Sequence, residues 1–166
     1  MQTRTFAMLT VLAIGLCSGP AQAVVPPPLR DLDACLASPR NKGAAGCYRE
    51  ATDAIERFKA ECLDTLYGPP AKVGCYATSE DYWDERLNLA YGLLMARLNQ
   101  DAKSRLRTAQ KQWLAYRDAT EAAFQASFWG NEQAEKKLAT ISIYHDIVQQ
   151  RTEMLERMLM AITADR

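Results

Sequence analysis

Residues 78–98 read TSEDYWDERLNLAYGLLMARL, and their spacing decides the fold. Trp83, Leu87, Ala90 or Tyr91, Leu94 and Leu98 recur at steps of three and four, which puts them on one apolar face of a helix. Thr78 offers a capping hydroxyl with Asp81 three residues later, so the helix is expected to begin there. Toward the C-terminus the same pattern returns twice. Leu106, Ala109, Trp113, Tyr116, Thr120, Phe124 and Phe128 mark a second helix, stopped by Gly130 in the position where a left-handed residue closes a helix. Ala134, Leu138, Ile141, His145, Val148, Thr152, Leu155, Leu159 and Ile162 mark a third. No stretch alternates with period two for long, and narrow seams of this kind pack at shallow angles. The expected fold is therefore all-α, a small bundle of about four to five helices.

Toward the N-terminus, residues 44–67 place Ile55, Phe58, Cys62 and Leu66 at helical intervals and stop at Gly68-Pro69-Pro70. Before this helix, residues 1–23 have the build of a secretory signal: Arg4, an apolar run from Phe6 to Leu16, then Ala21-Gln22-Ala23 as the small-x-small cleavage pattern. The run is too short to span a bilayer. A lipid anchor on Cys17 is the alternative, but the residue before it, Leu16, is not small. Residues 24–34, with Pro26, Pro27 and Pro28, are expected to be extended, and residues 35–164 to form the helical domain.

Cleavage at Ala23 leaves four cysteines, Cys35, Cys47, Cys62 and Cys75, in an oxidising compartment, where an even number implies two disulfides. Cys47 and Cys62 fall on one expected helix, where they would sit about 22 Å apart at the helical rise. A disulfide needs its Cα atoms within about 7 Å, so that pair is excluded if the helix is continuous. The segments from Cys35 to Cys47 and from Cys62 to Cys75 hold Pro39, Gly43 and Gly46, then Gly68, Pro69, Pro70 and Gly74, and each reads as a loop whose ends can meet. Local pairing is the expectation. It is supported by a weak repeat in which Cys35-Leu36 with Gly46-Cys47-Tyr48 returns as Cys62-Leu63 with Gly74-Cys75-Tyr76. Crossed pairing of Cys35 with Cys62 and Cys47 with Cys75 is the alternative.

Charge narrows the function classes. The chain has 20 basic and 20 acidic residues and no Lys/Arg cluster, which gives no electrostatic reason to expect nucleic acid or an anionic membrane as partner. The charge is uneven, with 11 acids and 7 bases in residues 24–85 against 9 acids and 12 bases in residues 86–166. His145 is the sole histidine and sits on an apolar stripe, where a packed, hydrogen-bonded ring is the ordinary role. Metal sites in bundles need converging ligands such as paired Glu-x-x-His, and haem on His145 with Met95 or Met154 would lack the Cys-x-x-Cys-His attachment. No metal or cofactor is expected. The carboxylate pairs Asp81 with Glu85 and Glu132 with Glu135 suit solvated helix faces, and no nucleophile turn or phosphate loop is present, so the chain reads as a binding module rather than an enzyme.

Polar residues within the helices are more informative. Asp84, Asn88 and Tyr91 share one helical face, and Gln110, Trp113 and Arg117 share another. With Arg151 they are expected to form a structural network tying three helices together, because polar groups on a seam must find partners. The same residues carry a resemblance. Asp84-x-x-Leu87-Asn88-x-x-Tyr91, Gln110-x-x-Trp113-x-x-x-Arg117-Asp118 and Arg151-x-x-x-Leu155 resemble the signatures of the lysozyme inhibitor LprI-like N-terminal domain family over roughly residues 62 to 160. Val148 stands where the last signature has threonine, and Thr120-Glu121 and Ile143-Tyr144 stand where members often carry two further cysteines. The resemblance implies a small, exported, helical protein that binds and inhibits a lysozyme-type peptidoglycan hydrolase. A general envelope interaction, stress or immunity module is the alternative. Expected partner contacts are the loop from Gly68 to Gly74, the acidic stretch with Glu80 and Asp81, and the aromatic pair Phe128 and Trp129.

Overall fold

A computed structural model describes residues 26–27, 29–39, 43–127 and 133–164. The expected signal in residues 1–23, including Cys17, and Phe128, Trp129 and Gly130 lie outside the described residues. Among the described residues five helices follow one another: α1 (Leu29–Ala37), α2 (Gly43–Thr65), α3 (Pro69–Arg97), α4 (Gln100–Ala126) and α5 (Gln133–Ala164). The expected all-α bundle is therefore observed, with a short helix, α1, in part of the segment expected to be extended.

The start of α3 corrects the sequence reading. Thr78 caps nothing, because the helix has already begun at Pro69, and the supposed loop from Gly68 to Gly74 is largely its first turns. Gly68 sits at φ 81°, a left-handed conformation that favours glycine, and Pro69 and Pro70 occupy the first helical positions. There the missing amide donor is harmless and the fixed φ suits the helix, so two residues that break a helix in its interior begin one here. At the other end of α3, Leu98 turns extended, and the Asn99 side chain accepts a hydrogen bond from the Ala102 amide at 2.9 Å to start α4. Two residues thus end α3 and start α4, which packs chiefly on α5.

Disulfides join Cys35 to Cys47 and Cys62 to Cys75, each with a Cα–Cα distance of 5.7 Å. This is the local pairing. The first bridge ties α1 to the start of α2, and the second ties the end of α2 to the second turn of α3. Because α3 is helical from Pro69, the second bridge staples two helices directly rather than closing a long loop.

The core lies along α3 and α5, the most extensive helix pair in the molecule. Trp83, Leu87, Ala90 and Leu94 from α3 pack with Val148, Leu155 and Leu159 from α5, while Ile55 and Phe58 of α2 and Leu32 of α1 close one side. Burial of this apolar surface is the main source of stability, at about 25 cal/mol per Å². Leu94 is wholly buried, so its truncation to alanine is a cavity-forming change of about 2 to 5 kcal/mol. α4 differs. Among its residues only Leu106 is buried, and it meets the rest of the molecule chiefly through α5. Its expected stripe is consequently only half used: Trp113 is partly buried, whereas Ala109 is exposed and Tyr116 is 59% exposed.

Candidate functional site

Two layers of polar structure rest on this frame. The inner one lies on the seam between α3 and α5. Arg86 and Glu156, both almost fully buried, form a two-pronged ion pair: Arg86 Nε donates to Glu156 Oε1, and Nη2 donates to Oε2 at 2.8 Å. Nη2 also donates to the Tyr48 carbonyl at 3.0 Å, which draws α2 into the pair. The guanidinium lies over the Trp83 ring at 4.6 Å and near the Tyr48 ring at 5.7 Å. Burial pushes the Glu156 carboxyl up, and Arg86 pulls against that shift. One turn away along α5, Thr152 Oγ1 donates at 2.9 Å to the Val148 carbonyl and lies 3.1 Å from that of Trp83.

Further along the seam, Ser79 Oγ and His145 Nε2 share a hydrogen bond of 2.9 Å, and His145 Nδ1 lies 3.2 Å from Asp146 Oδ1. These three residues resemble a hydrolytic triad on paper. Ser79 and His145 are both wholly buried, however, so no substrate carbonyl can meet the hydroxyl, and the arrangement acts as a tie between α3 and α5. Burial holds the His145 pKa below its usual value, so acid works against this seam. The stripe histidine is a packed residue.

The outer layer joins α4 to α5. Arg151 Nε and Nη2 both donate to Gln110 Oε1, at 3.0 and 2.9 Å, with the guanidinium 5.8 Å from the Trp113 ring. Arg117 stacks between Trp113 at 5.5 Å and Tyr144 at 5.1 Å and donates to its neighbour Asp118 at 2.8 Å. Gln110, Trp113, Arg117 and Arg151 thus come together. Asp84 and Asn88 do not join them through any hydrogen bond: Asn88 Nδ2 donates to Asp84 Oδ2 at 3.2 Å on the surface of α3, and Tyr91 is partly buried against the core.

Where α4 passes the first half of α3, the three long helices line an open groove of about 660 Å³. Glu80 lines it from α3, Glu121 and Gln125 from α4, and Lys136, Thr140 and Tyr144 from α5. Glu80 is only partly exposed, and burial, reinforced by Asp81 and Asp84, lifts its carboxyl to about 7. Asp81 itself points to solvent. Among the described residues, no group of three or more His, Cys, Asp or Glu is arranged to hold a metal ion, and no helix is long and apolar enough to cross a membrane.

Sequence reasoning missed Arg86, Glu156, Glu121 and Thr140. Arg86 follows Trp83 by three residues and Glu156 follows Thr152 by four, so both continue a buried stripe. That spacing was the available signal.

The helices that line the groove, α3 to α5, are also those matched by a known family. A sequence profile described as lysozyme inhibitor LprI matches residues 69–166. The chain belongs to the lysozyme inhibitor LprI family. The LprI match begins at the first residue of α3; α1 and α2 precede it, and α2 is stapled to α3 through Cys62–Cys75. LprI is an inhibitor domain rather than an enzyme family. No curated protein and no solved structure matches the chain.

Proposed function

We propose that this protein is an exported binding protein of the cell envelope that inhibits a lysozyme-type muramidase by occluding its cleft. The observation that carries this reading is the LprI match across all of α3, α4 and α5. Two disulfides suit an oxidising, extracytoplasmic compartment, and the signal-like residues 1–23 point the same way. Residues 24–85, with 11 acids against 7 bases, are the part of the chain whose charge complements a basic hydrolase, which favours encounter and orientation. Peptidoglycan lysis by a panel of muramidases, measured by turbidity with and without the purified protein, tests the proposal. Slowing of at least one enzyme near stoichiometric ratio is expected. If none slows at stoichiometric excess, the inhibitor reading falls. The general envelope-interaction reading then leads, favoured by the exposed Leu114, Tyr116, Met154 and Met158 on α4 and α5.

A further inference from the structure

We propose that Leu66 and Tyr67, at the elbow between α2 and α3, are the element that enters the muramidase cleft, with the tyrosine ring seated where the enzyme holds a sugar ring. The proposal deepens the inhibitor reading and rests on it. Tyr67 is 90% exposed and Leu66 42%, so two neighbouring apolar side chains stand clear of the core at one point of the chain. The other large exposed apolar residues, Leu114, Tyr116, Met154 and Met158, lie along the sides of α4 and α5. The elbow instead forms part of an end of the bundle. Ser79 meets His145 and Arg86 meets Glu156, so α3 and α5 run in one direction, and Gln110 meets Arg151 while Arg117 meets Tyr144, so α4 runs against them. The elbow before α3 is therefore at the end where α4 closes and α5 begins. A tip fits a cleft, whereas the side of a helix does not.

The elbow is also held in one shape. Cys62–Cys75 ties α2 to α3 across it at a Cα–Cα distance of 5.7 Å, and the Leu66 amide donates to the Cys62 carbonyl at 3.1 Å. On the other side Gly68 takes φ 81°, Pro69 and Pro70 fix the first turn of α3, and the Lys72 amide donates to the Gly68 carbonyl at 3.2 Å. A tip tied on both sides gives up little freedom on binding, and tyrosine adds a large amphipathic contact with few rotamers to lose. Its chemistry suits a glycosidase. Residues 65–71, Thr-Leu-Tyr-Gly-Pro-Pro-Ala, carry no charge. A muramidase cleft holds a pair of carboxyl groups, which would repel an acidic tip. The Tyr67 hydroxyl can donate to such a carboxylate, and its ring offers an apolar face in place of a sugar.

The test uses the purified protein with both disulfides intact, the muramidase it slows, and the variants L66S/Y67S and Y116S. L66S/Y67S is expected to raise the half-inhibitory concentration at least about tenfold with an unchanged melting temperature, because neither side chain is buried. Y116S, which removes an exposed tyrosine from the side of α4, should inhibit like the wild type. Chitotriose, the trimer of N-acetylglucosamine, should compete with the wild-type protein for the enzyme. Inhibition by L66S/Y67S at wild-type strength, an equal loss in Y116S, or binding that chitotriose does not compete would overturn the elbow while leaving the inhibitor reading intact. A wild-type protein that slows no muramidase removes the inhibitor reading and the elbow with it.

Discussion

The α3–α5 seam and the α4 layer are both made of long helices, yet they are held in different ways. Along the seam a continuous apolar stripe encloses its polar groups, and each bridges helices: Arg86 to Glu156, Ser79 to His145, Thr152 to the Trp83 carbonyl. α4 contributes one buried residue, Leu106, and is attached by a guanidinium–amide contact and two cations stacked on Trp113. A helix whose apolar face is deeply buried is fixed by the fold. One attached through half-exposed polar contacts opens more readily, and such elements are the ones available to adapt to a partner. The groove stands between these regimes, with Glu80 on the rigid seam helix and Glu121 on the looser one.

The sharpest way to break this contrast is to remove one partner of the seam ion pair. Glu156→Ala strands a buried guanidinium and is expected to cost about 3 to 5 kcal/mol in denaturant unfolding. The double variant Arg86→Met with Glu156→Leu should recover much of that loss, since an apolar pair needs no charge compensation. Opening the staple between α2 and α3 with Cys62→Ser and Cys75→Ser should cost about 3 kcal/mol in the same measurement, the scale for a loop of this length. Gln110→Ala with Trp113→Ala is expected to lower global stability by only about 1 to 2 kcal/mol while speeding amide exchange throughout α4 and leaving α3 slow. A global loss as large as that of Glu156→Ala would mean that α4 belongs to the core.

The smallest effect carries a pH signature. Folding raises the Glu80 carboxyl from 4.5 to about 7, so the folded state keeps a proton that the unfolded chain releases, and Glu80 opposes folding increasingly as pH rises from 4.5 through 7. Glu80→Gln should therefore leave the melting temperature unchanged near pH 4 and stabilise the protein at pH 8 by about 1 kcal/mol, a value discounted for partial solvent exposure. Equal effects at both pH values would show that this carboxyl is not held up by its surroundings.

The seam was largely legible in the sequence because steps of four and seven in Trp83, Leu87, Leu94 and in Val148, Leu155, Leu159 map directly onto one helical face. The disulfide pairing was legible too, since a continuous helix between Cys47 and Cys62 leaves local partners within reach. The start of α3 was not, because Gly68-Pro69-Pro70 reads as an interruption although proline is well suited to a first turn. Arg86 and Glu156 escaped notice because each is an ordinary surface residue type, and their pairing spans 70 residues that only the packed helices bring together. The groove between α3, α4 and α5 has the same origin. Glu80, Glu121 and Thr140 share no local motif and meet because α4 turns back at Leu98 and Asn99.

Amide hydrogen exchange with and without a saturating muramidase tests most directly the proposal that this LprI-family chain engages a muramidase through this end of the bundle. The expected result is new protection in residues 80–84, 117–125 and 136–144, with exchange in α1 and α2 unchanged. Protection confined to α1 and α2, or no change anywhere in the bundle, would contradict it.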